Sequence, residues 1–337
     1  MTILLIVLAI VAGLVAAGAI YQALGVAADE RRFPPPGRMV DIGEPSSKRG
    51  LHLLESGSGP AVIFEAGIAA TGLNWTAVRS QVERFAHACA YDRAGLGWSD
   101  RAAPPRTTLA IVEDLHRLIE QAGIAAPYVL VGHSFGGLVV RAYSARYEAE
   151  VAGLVLVDPL SVHEWLEPDR AQARMLRLGV TLSRRGAMLA RIGVVRAALA
   201  LLMAGGRRVP KLVARASSGR GETVITRIVG EVQKMPPETW PMVRAHWSTP
   251  KSFLGMGDYL EGLPQSAREA AALDVPETIA ITVISAFGST PEQLEEREEM
   301  ARRSARGRHI VAQKSGHWIQ LDEPELVVEA VKEMLAK

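Results

Sequence analysis

The stretch Tyr128-Val129-Leu130-Val131-Gly132-His133-Ser134-Phe135-Gly136-Gly137 limits the fold more than any other part of the chain. An apolar, β-prone run stops at a glycine, a serine follows two residues later, and two more glycines open a helix-compatible segment. Small residues on both sides are what a sharp strand-to-helix turn demands. The backbone at the serine is strained, and the following helix must pack close to the strand. Such a turn lifts the Ser134 hydroxyl above the carboxyl edge of a sheet, within reach of a histidine. The Phe135 amide, at the start of the next helix, then faces a developing oxyanion. His133 adjoins the serine, but neighbours on an elbow point apart, so its reading is structural.

The surrounding pattern is that of an α/β protein. Ala61–Glu65 (AVIFE), Ala88–Tyr91 (ACAY), Tyr128–Val131 and Leu154–Val157 (LVLV) are short apolar runs that read as strands. Between them, 108–121 carries apolar residues at helical spacing, with Thr108 as a cap and Gly123 past the end. A second helix is expected over 136–147. Strands apolar on both faces, alternating with helices, imply a mostly parallel sheet covered on both sides. The pattern breaks after Asp158-Pro159. It resumes with Ile279–Ser285 (IAITVIS), a charged helix over 291–305 read as a solvated surface helix, a strand over 308–313 and a last helix from Pro324.

A nucleophilic serine needs a base and an acid, which on such an elbow follow in the order Ser, acid, His. His317, in Ser315-Gly316-His317-Trp318 after the last strand, stands where the base belongs. The loop after Ile279–Ser285 contains no Asp. Asp158 ends the strand that follows the nucleophile's helix, so it is the favoured acid, placed to bond His317 Nδ1 and fix its tautomer. Glu292 is the alternative acid, and His163 has no constrained geometry.

These motifs resemble the α/β-hydrolase superfamily, most closely bacterial serine hydrolases with a hydrophobic N-terminal segment. The resemblance rests on Phe33-Pro34-Pro35-Pro36-Gly37-Arg38, Glu65-Ala66-Gly67, Tyr91-Asp92-Arg93-Ala94-Gly95-Leu96-Gly97-Trp98-Ser99, the elbow itself, and Gly316-His317. It covers residues 33–158 and 275–337. It implies an oxyanion hole built from the Phe135 amide and, after Ala66-Gly67, the Ile68 amide. The family's usual His-Gly is replaced here by Ala66-Gly67, which keeps the backbone donor. The family acid commonly follows the strand preceding that of the catalytic histidine; some relatives carry it one strand earlier, as Asp158 does here. Relatives that open epoxides or remove halide use an Asp nucleophile, and Ser134 argues against both chemistries.

Two further segments frame this core. Residues 2–26 contain no charged side chain, and about 20 such residues cross a bilayer. They are read as a retained, single-pass N-terminal anchor, with Tyr21 and Gln22 near one interface. A cleaved signal peptide and a buried soluble helix are the other readings; no Lys or Arg precedes the run, and it is long for a signal peptide. Arg31, Arg32 and Arg38 lean weakly towards a cytoplasmic catalytic part, although Asp29 and Glu30 share the flank. Residues 32–38 then form a stiff, extended spacer. From Arg170 through Gly221 there is no Asp or Glu, while twelve Arg and Lys alternate with apolar stretches such as AALALLMA. A basic amphipathic cap of this kind suits an anionic lipid surface, or a cap whose apolar face covers the site.

The expected organisation is therefore an α/β-hydrolase fold with a helical cap insertion, preceded by one transmembrane helix. Its parts are an anchor over 1–28, core over 29–159, cap over 160–273 and core over 274–337. The expected activity is ester cleavage through an acyl-enzyme on Ser134, with His317 as base and Asp158 behind it, needing no cofactor or metal. The substrate is a small ester, with an apolar acyl group expected, and membrane lipid is a partner. Other serine chemistry of the fold (lactone or C–C bond hydrolysis) and a non-catalytic ligand-binding protein are the alternatives. Thirty-eight Lys and Arg against 36 Asp and Glu leave no global field for nucleic acid. Cys89, the only cysteine, permits no intrachain disulfide and reads as a small buried hydrophobe.

Overall fold

The computed structural model describes residues 1–44, 46–204 and 234–336. Its strands are β1 (Arg38–Asp41), β2 (Gly50–Ser56), β3 (Ala61–Glu65), β4 (His87–Tyr91), β5 (Tyr128–His133), β6 (Val151–Val157), β7 (Ala280–Ser285) and β8 (Arg308–Val311). They form one sheet in the order β1-β2-β4-β3-β5-β6-β7-β8. β1 and β2 pair antiparallel, as do β2 and β4; every other pairing is parallel. Every residue of β3, β5 and β7 is buried. Helices cover both faces, which explains why these strands read as unbroken apolar runs rather than as alternation.

One core lies between the sheet and the helices Thr108–Ala122, Gly136–Arg146 and Pro250–Ala271, with Leu115, Leu138, Tyr143 and Tyr259 at its centre. The other face is closed by Thr76–Val82 and Pro324–Leu335, through Trp75, Val82, Val327 and Val331. The Thr108–Ala122 helix has Thr107 at its N-cap position without a side-chain capping bond; its Thr108 and Leu109 N–H groups donate instead to Ser266 Oγ and Glu269 Oε2, and it ends at Gly123, whose φ of 69° is the left-handed conformation a glycine adopts without strain. The helix over Pro291–Arg302 differs from its reading as a solvated element. Arg297, Met300 and Ala301 are buried, because one face of it packs on β7 and β8.

Between β6 and β7 run the helices His163–Leu166, Arg170–Arg191, Val194–Ala204, Trp240–Trp247 and Pro250–Ala271. Five of the basic residues expected here, Arg207, Arg208, Lys211, Arg215 and Arg220, lie outside the described residues. The last of these helices is part of the main core. Tyr259 is fully buried and donates to Ala94 O at 2.8 Å, and Gly255 lies against Gly95, where a Cβ would come within 2.8 Å of Gly95 O.

The N-terminal helix is continuous from Thr2 to Arg32 and is long and apolar enough to cross a membrane. Gln22 is buried against protein instead of facing an interface. The 33–36 stretch is pinned to the core rather than free as a spacer. Trp98 Nε1 donates to Phe33 O at 3.0 Å, and His52 Nε2 bonds Pro36 O at 2.5 Å.

Candidate active site

Ser134 and Asp158 are the two non-glycine residues at positive φ among the described residues, at 52° and 42°. Each costs on the order of 1–2 kcal/mol of backbone strain, so the surroundings must hold it. For Ser134 they do so through a hydrogen bond from its N–H to Val157 O (3.0 Å) and two accepted by its carbonyl, from Gly137 N (2.9 Å) and Leu160 N (3.1 Å). Asp158 N donates to Ile284 O at 2.7 Å. Both strained residues stand at the carboxyl ends of neighbouring strands, β5 and β6. The glycines of the elbow are required sterically. A Cβ on Gly132 would lie 2.7 Å from Gly136 O and from Val140 Cγ2, and one on Gly136 would lie 2.5 Å from Glu65 O.

His317 lies in the loop between β8 and the short helix Ile319–Asp322. Its Nδ1 is 2.6 Å from Asp158 Oδ2. Asp158 Oδ1 accepts from Ala286 N at 2.9 Å and pairs with Arg297 Nη1 at 2.8 Å. Burial alone would raise the Asp158 carboxyl. The His317 hydrogen bond and the Arg297 guanidinium outweigh it and hold the group below the usual carboxylate range. An ionised Asp158 accepts from His317 Nδ1, the arrangement that leaves Nε2 of a neutral ring without a proton. No hydrogen bond joins Ser134 Oγ to His317 among the described residues; such contacts are often long before substrate binds.

His133 Nε2 is 2.8 Å from His317 O. Burial pushes the His133 imidazole down to about 3, so the ring is neutral and Nε2 donates its proton to that carbonyl. His133 thus holds the main chain of His317, a role compatible with its structural reading. Glu292 is exposed at a helix start, and its carboxyl is lowered by its own backbone N–H and by Thr290. His163 is exposed as well.

Neither the Phe135 nor the Ile68 backbone N–H donates to another described residue. Phe135 begins the turn of the Gly136–Arg146 helix, and Ile68 follows the end of β3, so both flank the point where strand order reverses. Arg93 organises the second of these turns. Its Nη1 bonds Glu65 Oε1 at 2.5 Å and Ala66 O at 2.6 Å, and its Nη2 bonds Gly67 O. Tyr91 donates to the other Glu65 oxygen, and the Phe135 and Tyr259 rings stack on the guanidinium at 5.3 and 5.0 Å. Holding the Gly67 carbonyl fixes the peptide plane that carries the Ile68 N–H. The roles of Arg93 and Arg297 are absent from the sequence reading. Arg93 carries a signal, a lone cation just past the end of an apolar strand. Arg297 has none, being one charge among many in EEREEM.

A family model described as alpha/beta hydrolase fold matches residues 60–177. An uncharacterized Bacillus subtilis protein, YqjL, is 30% identical over 102 residues, which cover 30% of this chain and 40% of that protein. An AB hydrolase superfamily protein of Gibberella zeae is 36% identical over 103 residues, 29% of this chain and 32% of that one. The match spans less than half the length of either curated relative. Among solved structures, a thermophilic esterase from Thermogutta terrifontis superposes with a TM-score of 0.57 at 20% identity, covering 89% of this chain and 97% of that one. The enol-lactonase from Burkholderia xenovorans gives 0.54 at 17% identity, over 86% and 97%. This chain has the α/β-hydrolase fold, with one N-terminal helix able to span a membrane added to it.

Proposed function

We propose that this chain is a membrane-mounted serine hydrolase that cleaves carboxylic esters. His317 Nε2 takes the Ser134 proton as Oγ attacks the ester carbonyl. The tetrahedral oxyanion forms against the Phe135 and Ile68 amides. His317, now doubly protonated, gives its proton to the leaving alcohol, and water repeats the sequence on the acyl-enzyme. Asp158 holds the imidazole in the productive tautomer throughout. The observation that carries this reading is the part-buried Asp158–His317 contact at 2.6 Å, reinforced by the buried Arg297, beside a serine held at a strained φ. The Asp158–Arg297 ion pair behind it is buried on both sides, and such pairs are expensive to build for stability alone. The helix Thr2–Arg32 is the anchor in this reading, with lipid as the partner and the catalytic part on the cytoplasmic side. A panel of acyl esters of increasing length, assayed on wild type and Ser134→Ala, tests the reading. Turnover that falls by several orders of magnitude in the alanine variant supports it. Equal turnover in both removes it.

A further inference from the structure

The N-terminal helix is joined to the inserted helices by a specific seam. Residues 2–17 are all exposed, whereas Gly18, Gln22, Gly25 and Asp29, spaced by four, three and four, face protein. A Cβ on Gly18 would collide with the Ile192 carbonyl, and one on Gly25 would lie 2.6 Å from Arg196 Nε. The Gln22 amide is used at both ends: Nε2 donates to Ser248 O at 2.9 Å, and Oε1 accepts from Arg196 Nε at 3.0 Å. Arg196, itself buried, also pairs with Asp29 at 2.5 Å. Small residues at the crossing and a doubly bonded buried amide make this a fixed joint, not a tether.

That joint sets the height of the cap. The free part of the helix, residues 2–17, is about 24 Å long at 1.5 Å per residue. The hydrocarbon layer is about 30 Å thick. The shortfall of about 6 Å, one further helical turn, reaches the level of Gly18 and Tyr21, where the Ile192-Gly193 corner touches the helix; a Cβ on Gly193 would lie 2.7 Å from Gly18 O. Three apolar side chains on the two helices that meet at this corner are exposed among the described residues: Met188 at 63%, Leu201 at 64% and Val194 at 45%. Exposed Arg185 and Arg191 alternate with these residues. Apolar side chains at the acyl boundary with arginines at headgroup level are the pattern of an interfacial helix on anionic lipid.

We propose that the Met188–Leu201 corner of the cap is inserted into the interface of an anionic bilayer, held at that depth by the Gly18–Asp29 seam. The proposal rests on reading Thr2–Arg32 as a membrane helix and is independent of the chemistry at Ser134. Cys89 is fully buried, and burial pushes its thiol up to about 12, so an introduced surface cysteine can be labelled selectively. Full-length Met188→Cys and Leu201→Cys, carrying the polarity-sensitive dye NBD, are reconstituted in phosphatidylcholine vesicles with and without phosphatidylserine. Glu120→Cys on the core serves as control. The expected result is blue-shifted emission, quenched by shallow doxyl-labelled lipid, at 188 and 201 but not at 120. The effect is stronger with phosphatidylserine, and that dependence is lost in Arg185→Glu/Arg191→Glu. Water-like, unquenched emission at 188 and 201 overturns the proposal. Gly18→Leu with Gln22→Ala should leave the protein resistant to carbonate extraction yet lose the quenching at both sites; retained quenching overturns the role of the seam. Carbonate extraction of the full-length protein would instead defeat the anchor reading itself. Fluorophosphonate labelling of the same samples reports separately on the catalytic reading.

Discussion

Asp158 and Arg93 each join several groups, and a single substitution at either separates them. Asp158→Asn keeps the shape but cannot hold His317 in the tautomer that leaves Nε2 basic. Steady-state kinetics should show turnover lower by roughly three to four orders of magnitude, with binding of a non-reactive ester analogue preserved. Glu292→Gln, exposed and at a helix start, should leave turnover near wild type. If those two results are exchanged, the acid lies in the loop after β7. Arg93→Lys keeps the charge but loses the planar fork that spans the Ala66 and Gly67 carbonyls. Its role is positioning, so kcat should fall roughly tenfold to a hundredfold, less than the loss of an oxyanion donor itself, with KM and the pH profile unchanged. A fall in melting temperature without any change in kcat would make Arg93 purely structural.

At the scale of elements, the strands legible in the sequence are those buried on both faces, together with β8, an edge strand read over 308–313 whose residues are exposed or half-buried. β3, β4, β5, β6 and β7 each appear as an apolar run because nothing else survives between two helical layers. β1 and β2 give no such signal. Arg38–Asp41 (RMVD) has only two apolar residues between charges, and Gly50–Ser56 carries polar groups whose burial is visible only once their partners are placed. His52 is the clearest case, buried between Asp92, 2.9 Å from Nδ1, and the Pro36 carbonyl. Burial alone would lower this imidazole, but the Asp92 hydrogen bond and charge with the Pro36 carbonyl raise it above its usual value. Asp92 is held below the usual carboxylate range, its own burial being outweighed by His52. A raised histidine stabilises fully below about pH 6.5, and that contribution is lost as pH rises through its folded value. A lowered carboxylate contributes above about pH 3.8 and loses it as pH falls through its folded value. The melting-temperature difference between wild type and His52→Gln should therefore be larger at pH 6 than at pH 9. An equal difference at both would mean that His52 is neutral and that its contribution is packing alone. The elbow was legible for a different reason, since its small residues form one contiguous pattern; Gly132 is demanded by the next turn, at Gly136 and Val140, whereas Gly136 is demanded by Glu65 at the end of β3. Asp158 was legible as the candidate acid, but its support by Arg297 and the Ala286 amide depends on approach of the β7 loop and the helix after it from more than 120 residues away.

Over the whole molecule, the N-terminal helix and the inserted helices share a buried polar joint of Gln22, Arg196, Asp29 and the Ser248 carbonyl. A chain beginning at Asp29 should remain soluble and keep the proposed site, because the Asp158–His317 pair and the Phe135 and Ile68 amides lie in the core. It should also melt at a lower temperature than the detergent-solubilised full-length protein, since Arg196 and the Ser248 carbonyl lose Gln22. Equal melting temperatures would show that the joint carries no net stability. The central claim is that Ser134 is an activated nucleophile served by His317. Labelling the full-length protein with a fluorophosphonate and locating the adduct by peptide mass spectrometry tests it most directly. The expected result is one modified residue, Ser134, with labelling abolished in Ser134→Ala and strongly slowed in His317→Ala. An adduct on any other residue, or undiminished labelling of Ser134→Ala, would contradict it.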